Sequence, residues 1–156
     1  MRIFIFTVGE TRASYLREAE LEYARRLRRY CRFESGYVAP EKMTANKSDE
    51  LVMKKEGERL STRLPEACRT IALDRLGKSW TSQELATHLS VWQNGGLECV
   101  GFVIGGPLGL SPDVLKRADD VVSLSRMTLA HEIAKLVLLE QLYRAFTILR
   151  GEKYHK

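Results

Sequence analysis

Apolar segments of two different periods alternate along this chain, and that alternation leaves few folds open. Short runs rich in β-branched and aromatic residues, such as Ile3-Phe-Ile-Phe-Thr-Val8 and Val100-Gly-Phe-Val-Ile104, read as buried strands. The longer segments between them repeat their apolar residues every three to four positions, as Leu16, Leu21, Ala24 and Leu27 do, and read as helices. Strands are expected over 3–8, 32–38, 70–73, 99–104 and 121–124. Helices are expected over 13–30, 48–64, 81–93, a short stretch from 112, and 131–149. Ser48 supplies an N-cap, Pro65 a stop, and Thr81-Ser-Gln-Glu84 a capping box. Five strands interleaved with five helices predict an α/β domain with a mainly parallel sheet and helices on both faces.

Composition narrows the class further. A chain of 156 residues with 44% hydrophobic and 29% charged residues supports one soluble domain with a core of its own. It has no run of 18 apolar residues, so no membrane span is expected. The apolar start, residues 1–9, is short and reads as a first strand rather than a signal peptide. Cys31, Cys68 and Cys99 are odd in number and far apart. Neither a disulfide framework nor a metal site is expected, and reduced thiols in a cytoplasmic protein fit best. The net charge of +5 suits an anionic partner such as RNA. Arg12, Arg17, Arg25, Arg26, Arg28, Arg29 and Arg32 are candidates for that contact, diluted by Glu18, Glu20 and Glu22.

The clearest ligand signal is Ile104-Gly-Gly-Pro-Leu-Gly-Leu-Ser111. A strand ends in a glycine-rich turn, and Ser111-Pro112 opens a helix as N-cap and first residue. A Walker A loop needs a lysine before its terminal Ser or Thr, and none lies between Gly101 and Ser111. The dinucleotide fingerprint needs other glycine spacing after a first strand, whereas this turn follows the fourth. Both common nucleotide readings therefore fail. Two further loops, Leu73-Asp-Arg-Leu-Gly77 and Leu124-Ser-Arg-Met-Thr-Leu-Ala-His131, also follow strand ends, where open parallel sheets bind ligands. The helix over 131–149 is apolar almost all round. One side can meet the sheet, and the other calls for a second surface, most simply another copy of the chain.

Taken together, several motifs resemble the ribosomal RNA large subunit methyltransferase H family of the SPOUT methyltransferases. They are Leu73-Asp74 with Gly77-Lys78; Ile104-Gly-Gly-Pro-Leu-Gly-Leu110; Ser123-Leu-Ser125 with Met127-Thr-Leu129 and His131; Glu140-Gln-Leu-Tyr-Arg-Ala-Phe146; and Arg150-Gly-Glu-Lys-Tyr-His-Lys156. Residues 3–9 and Lys54-Lys-Glu-Gly-Glu58 also fit, so the resemblance spans the chain. It implies a C-terminal deep trefoil knot, against the general rule of unknotted chains. It also implies a homodimer with active sites near the interface. The implied activity is methyl transfer from S-adenosylmethionine to N3 of a pseudouridine in 23S rRNA, within the ribosome.

The resemblance places the cofactor among Leu73, Gly105, Gly106 and the segment Leu124, Ser125, Arg126, Met127, Thr128 and Leu129. Backbone groups can read adenine there, and glycine permits close approach. A sulfonium methyl is already electrophilic, so no metal is called for. The acceptor imide must lose a proton, which a base or a stabilising cation assists. Candidates are His131, Arg144, Tyr154, His155 and Lys156, with Tyr154 suited to stacking on a base and His155 to accepting the proton. Ala130, Lys135 and Leu108 depart from the family's more usual Pro, Arg and polar residue. A non-catalytic rRNA-binding or ribosome-assembly protein of the same fold is the alternative reading, and a different small nucleotide-dependent α/β enzyme is a third.

Overall fold

The structure is a computed structural model that describes residues 1–154. Its elements run β1 (Arg2–Val8), α1 (Ser14–Leu27), β2 (Arg32–Val38), α2 (Asp49–Ser61), β3 (Arg69–Ser79), α3 (Ser82–Asn94), β4 (Cys99–Ile104), α4 (Pro112–Arg117), β5 (Asp120–Ser123) and α5 (His131–Leu149). The strands form one sheet in the order β2-β1-β4-β3-β5, and every pairing is parallel. The expected α/β class holds, and the sheet is wholly rather than mainly parallel.

Strand alternation divides the core in two. Ile3, Ile5, Val100, Phe102 and Ile104 face one side and pack with α1, α3 and α5 residues such as Leu27, Leu89 and Leu142. Phe4, Phe6, Val8, Cys99 and Val103 face the other, with Leu60 of α2 and Val114 of α4. β4 is therefore buried along its whole length, as a central strand between two helical layers must be. On the second face α2 and α4 approach closely at Gly57, where a Cβ would come within 2.6 Å of Ser111 Oγ.

Local chemistry explains most of the boundaries. The Thr81–Glu84 capping box is complete, and Ser48 and Ser111 each accept from the backbone N–H three residues on. α1 is shorter than its pattern suggested, and its Leu21 is 62% exposed. The position that turns inward instead is Glu20, whose Oε2 lies 2.7 Å from Lys135 Nζ of α5. Thr11 Oγ1 donates to the other Glu20 oxygen at 2.6 Å.

Two expectations are corrected. β3 does not end at Leu73. Its pairing with β5 breaks after Leu73 and resumes at Lys78, so the Asp74–Gly77 turn signals mark an excursion within a longer strand. Gly77 makes the return possible, because a Cβ there would sit 2.7 Å from the Val121 and Val122 backbone. The expectation of free thiols fails for Cys68 and Cys99. Neighbouring parallel strands bring them to a Cα separation of 4.9 Å, where they are joined as a disulfide, while Cys31 remains a free thiol. Long sequence separation hid this pair, since register and not spacing places the two sulfurs together.

Part of the second surface that α5 calls for comes from its own chain. α1 and α3 flank it in the same chain, and β1 and β4 lie beneath. No helix among the described residues is long and apolar enough to cross a membrane.

Candidate active site

The three strand-end loops converge. The β3 excursion, the glycine turn after β4 and the β5–α5 loop enclose a cavity of about 560 Å³, within the usual size range of small-molecule sites. Of the residues assigned from sequence to cofactor binding, Leu73, Gly105, Gly106, Leu124, Ser125, Met127, Thr128 and Leu129 line it. Arg126 does not; it stands exposed between two lining residues. Asp74, Arg75, Leu76 and Ala134 line it as well. Sequence reasoning had treated the first three only as part of a loop, and their visible signal was the Asp-x-x-Gly turn. Ala134 follows His131 by one helical turn and shares its face.

The loops are held by their own hydrogen bonds. Ser125 Oγ accepts from Met127 N–H at 3.0 Å, Ser123 Oγ donates to Ser125 O at 2.9 Å, and Asp74 Oδ1 accepts from Leu76 N–H at 2.8 Å. In the glycine turn Gly109 N–H donates to Gly106 O at 2.9 Å, and Gly109 has φ +86°. A Cβ on Gly105 would meet the Gly109 carbonyl oxygen at 2.6 Å and Leu110 N at 2.7 Å. Gly105 is thus required for the turn to close on itself. That is a different reason from the close approach to a ligand expected from sequence, although its backbone still faces the cavity.

His131, the first residue of α5, lines the same cavity. Its Nε2 is buried without a hydrogen-bond partner, against Gly9.

The other candidate catalytic residues lie elsewhere. Arg144 is 13 residues along α5 from His131, which at the rise of an α-helix is about 20 Å. Its guanidinium binds Glu140 Oε1 at 2.5 Å and lies 4.9 Å from the Tyr154 ring centre. Tyr154 donates to Glu140 Oε1 at 3.2 Å, stands 3.3 Å from the Tyr23 hydroxyl, and meets the Tyr143 ring edge-on. Arg26 adds a second cation over Tyr23 and Tyr143. Burial, then the Tyr23 hydrogen bond and the Glu140 charge, push the Tyr154 phenol well above its ordinary range. It stays protonated at neutral pH and is suited to donate or stack rather than to act as a base. Hydrogen bonding to Glu140 likewise raises Arg144 and keeps it charged. His155 and Lys156 lie outside the described residues. Tyr23, Tyr143 and Glu140 complete this cluster; Glu140 and Tyr143 lie in a motif that carries the family resemblance but were given no role from sequence, where the Glu140/Arg144 spacing of four was the available clue.

The α1 arginines divide. Arg25 and Arg26 pair with Glu22, and Arg17 with Glu10, while Arg28, Arg29 and Arg32 make no ion pair among the described residues.

Comparison with known proteins agrees with this architecture. The model of the family described as predicted SPOUT methyltransferase matches residues 1–155. The chain belongs to the SPOUT methyltransferase family. It is 48% identical to a protein named ribosomal RNA large subunit methyltransferase H from Anaeromyxobacter sp., and 46% and 45% identical to proteins of that name from Limosilactobacillus reuteri and Exiguobacterium sp.. Each match covers both chains completely. Among solved structures, a probable methyltransferase from Bordetella pertussis superposes with a TM-score of 0.56 at 19% identity, over 92% of this chain and 95% of that one. A probable methylase family protein from Haemophilus influenzae gives 0.56 at 14%, over 99% and 70%. At such identities these two speak for the fold alone. For a SPOUT methyltransferase, a pocket made by three strand-end loops is the feature on which methyl transfer can be built.

Proposed function

We propose that this chain is a cytoplasmic 23S rRNA methyltransferase that transfers a methyl group from S-adenosylmethionine to N3 of a pseudouridine in the large-subunit rRNA. The observation that carries the reading is the cavity enclosed by the excursion within β3 and the loops after β4 and β5. Its size suits an adenosyl ligand, and its walls offer backbone groups and the Ser125 and Thr128 hydroxyls, with few charges. The full-length likeness to ribosomal RNA large subunit methyltransferase H proteins supports the substrate.

S-adenosylmethionine supplies an electrophilic methyl on sulfur, and the protein has mainly to align it with the acceptor nitrogen. The glycine turn and the β5–α5 loop do the aligning. The imide proton must pass to a base before or as N3 forms its bond to the methyl carbon. Held by these loops, S-adenosylmethionine would release its methyl as the new bond forms, the carbon–sulfur pair staying on sulfur as a neutral thioether. Arg144 is a permanent cation able to stabilise the developing imide anion, and Tyr154 offers a ring and a protonated hydroxyl for the target base. His155 and Lys156 follow Tyr154 directly in the chain. His155 is assigned the proton, and His131 is the alternative on the cavity side.

The separation of about 20 Å along α5 supports a homodimer, in which one copy's cavity meets the other copy's tail. The outer stripe of α5, including the partly exposed Ile133 and Val137, offers an apolar surface for that contact. The return of α5 from the β5 edge across β1 and β4 fits a knotted C-terminus. Deleting the gene and analysing 23S rRNA nucleosides by mass spectrometry tests the reading. N3-methylpseudouridine is expected to vanish and to return on complementation; its persistence at the wild-type level would refute the substrate.

A further inference from the structure

Behind the glycine turn lies a carboxylate without a role in the scheme above. Glu56, in the middle of α2, is only 3% exposed. Its Oε1 accepts the Glu41 N–H at 2.9 Å, which fixes the loop after β2. Its Oε2 is buried and has no hydrogen-bond partner. The nearest wall is Gly106: a Cβ there would lie 3.2 Å from Oε2 and 3.1 Å from Val8 Cγ1. Gly106 also lines the cavity, so the turn stands between Glu56 and whatever the cavity holds. The local cations do not neutralise Glu56. Lys47, Lys55 and Arg59 all gather on Glu41, whose carboxyl they hold down at about 2.

We propose that Glu56 is a specificity-determining residue whose uncompensated carboxylate makes the adjoining cavity favour a cationic ligand, the sulfonium donor, over the neutral thioether that remains after transfer. This rests on the cofactor reading given above. Burying a carboxylate oxygen with no partner is costly, and a positive charge in the next compartment offsets that cost. The burial of Glu56 keeps the solvent from screening its charge fully. Anchoring the loop needs only Oε1, and a glutamine would serve as well. The negative charge on Oε2 is what an anchor does not require. Methyl transfer removes the ligand's sulfonium charge, so the same carboxylate that holds the donor releases the product.

Calorimetry on the full chain tests this with three ligands: S-adenosylmethionine, S-adenosylhomocysteine, and sinefungin, which carries an amine where the donor carries sulfonium. The wild type is expected to favour the two cationic ligands. Glu56→Gln should weaken both by about tenfold and leave the thioether within about twofold, so that the ratio collapses. Because both affinities are read on one protein, partial loss of fold does not alter the ratio. Glu56→Met, which also removes the charge, serves should the glutamine variant not fold. An unchanged ratio, or an equal loss for all three ligands, would overturn the proposal and leave Glu56 as an anchor. A wild type that binds none of the three would overturn the cofactor reading too, so the two failures are distinct.

Discussion

The two ends of α5 solve opposite problems. At its N-terminus, loops from three strands build a cavity from backbone, glycines and small hydroxyls, with few charges. At its C-terminus, Arg144, Glu140, Tyr154, Tyr23 and Tyr143 build a charged aromatic cluster. The first end offers shape and backbone groups, which suit a small ligand. The second offers cations and rings, which suit an unstacked base and its phosphates. One chain assembles each half but holds them a helix length apart. The contrast bears directly on the proposed homodimer, in which one copy's cavity would meet the other copy's cluster.

Four kinds of variant can break or sharpen that contrast. Gly105→Val should abolish cofactor binding seen by calorimetry, because its side chain must displace the Gly109–Leu110 backbone; unaltered affinity in a folded variant would contradict the cavity assignment. Removing residues 154–156 should leave that affinity unchanged while lowering turnover roughly a hundredfold or more in an rRNA methylation assay. Undiminished turnover would show the tail to be dispensable. Co-expressed and purified as a mixed dimer, these two inactive chains should regain roughly half the wild-type activity, since one of two shared sites is intact. A site confined to one chain predicts no recovery. Lys135→Met should cost about 3–5 kcal/mol in denaturant unfolding, because it strands Glu20 as a buried unpaired charge between α1 and α5. The smallest effect is a gain. Ala130 has φ −58° and ψ 141°, which proline accepts, so Ala130→Pro should stabilise the cavity loop by about 0.4–1 kcal/mol, read as a modest rise in Tm.

The legibility of the sequence follows the same division. Local chemistry announced most of the fold: β4 and α5 lie where their patterns put them, and the Ser48, Thr81 and Ser111 caps open their helices. The cavity was legible because its loops are marked by turn residues, two of them at strand ends and one at the break within β3. Features set by register or by tertiary contact were not. The Cys68–Cys99 link depends on which strands adjoin. The continuation of β3 past Gly77 depends on a second meeting with β5. Glu20 read as one of the charges diluting a basic surface, and its pairing with Lys135 depends on how α1 and α5 pack. Arg144 and Tyr154 could be nominated by resemblance, and the expected helix over 131–149 already set Arg144 about 20 Å from His131; the return of Tyr154 onto Glu140 and Tyr23 depends on tertiary contact.

The position of β4 has a consequence for how the chain is made. β1 and β3 do not touch in the sheet; β4 lies between them and is synthesised after both. At ordinary translation speeds, roughly 5–20 s pass between completion of β1 and completion of β4. Throughout that interval β1 carries a bare apolar edge, joined by that of β3 once Ser79 is made, and both are open to pairing with other nascent chains. The strand whose end forms the glycine turn is thus also the insertion step on which productive folding waits, and crowded polysomes are where this protein is most exposed to aggregation.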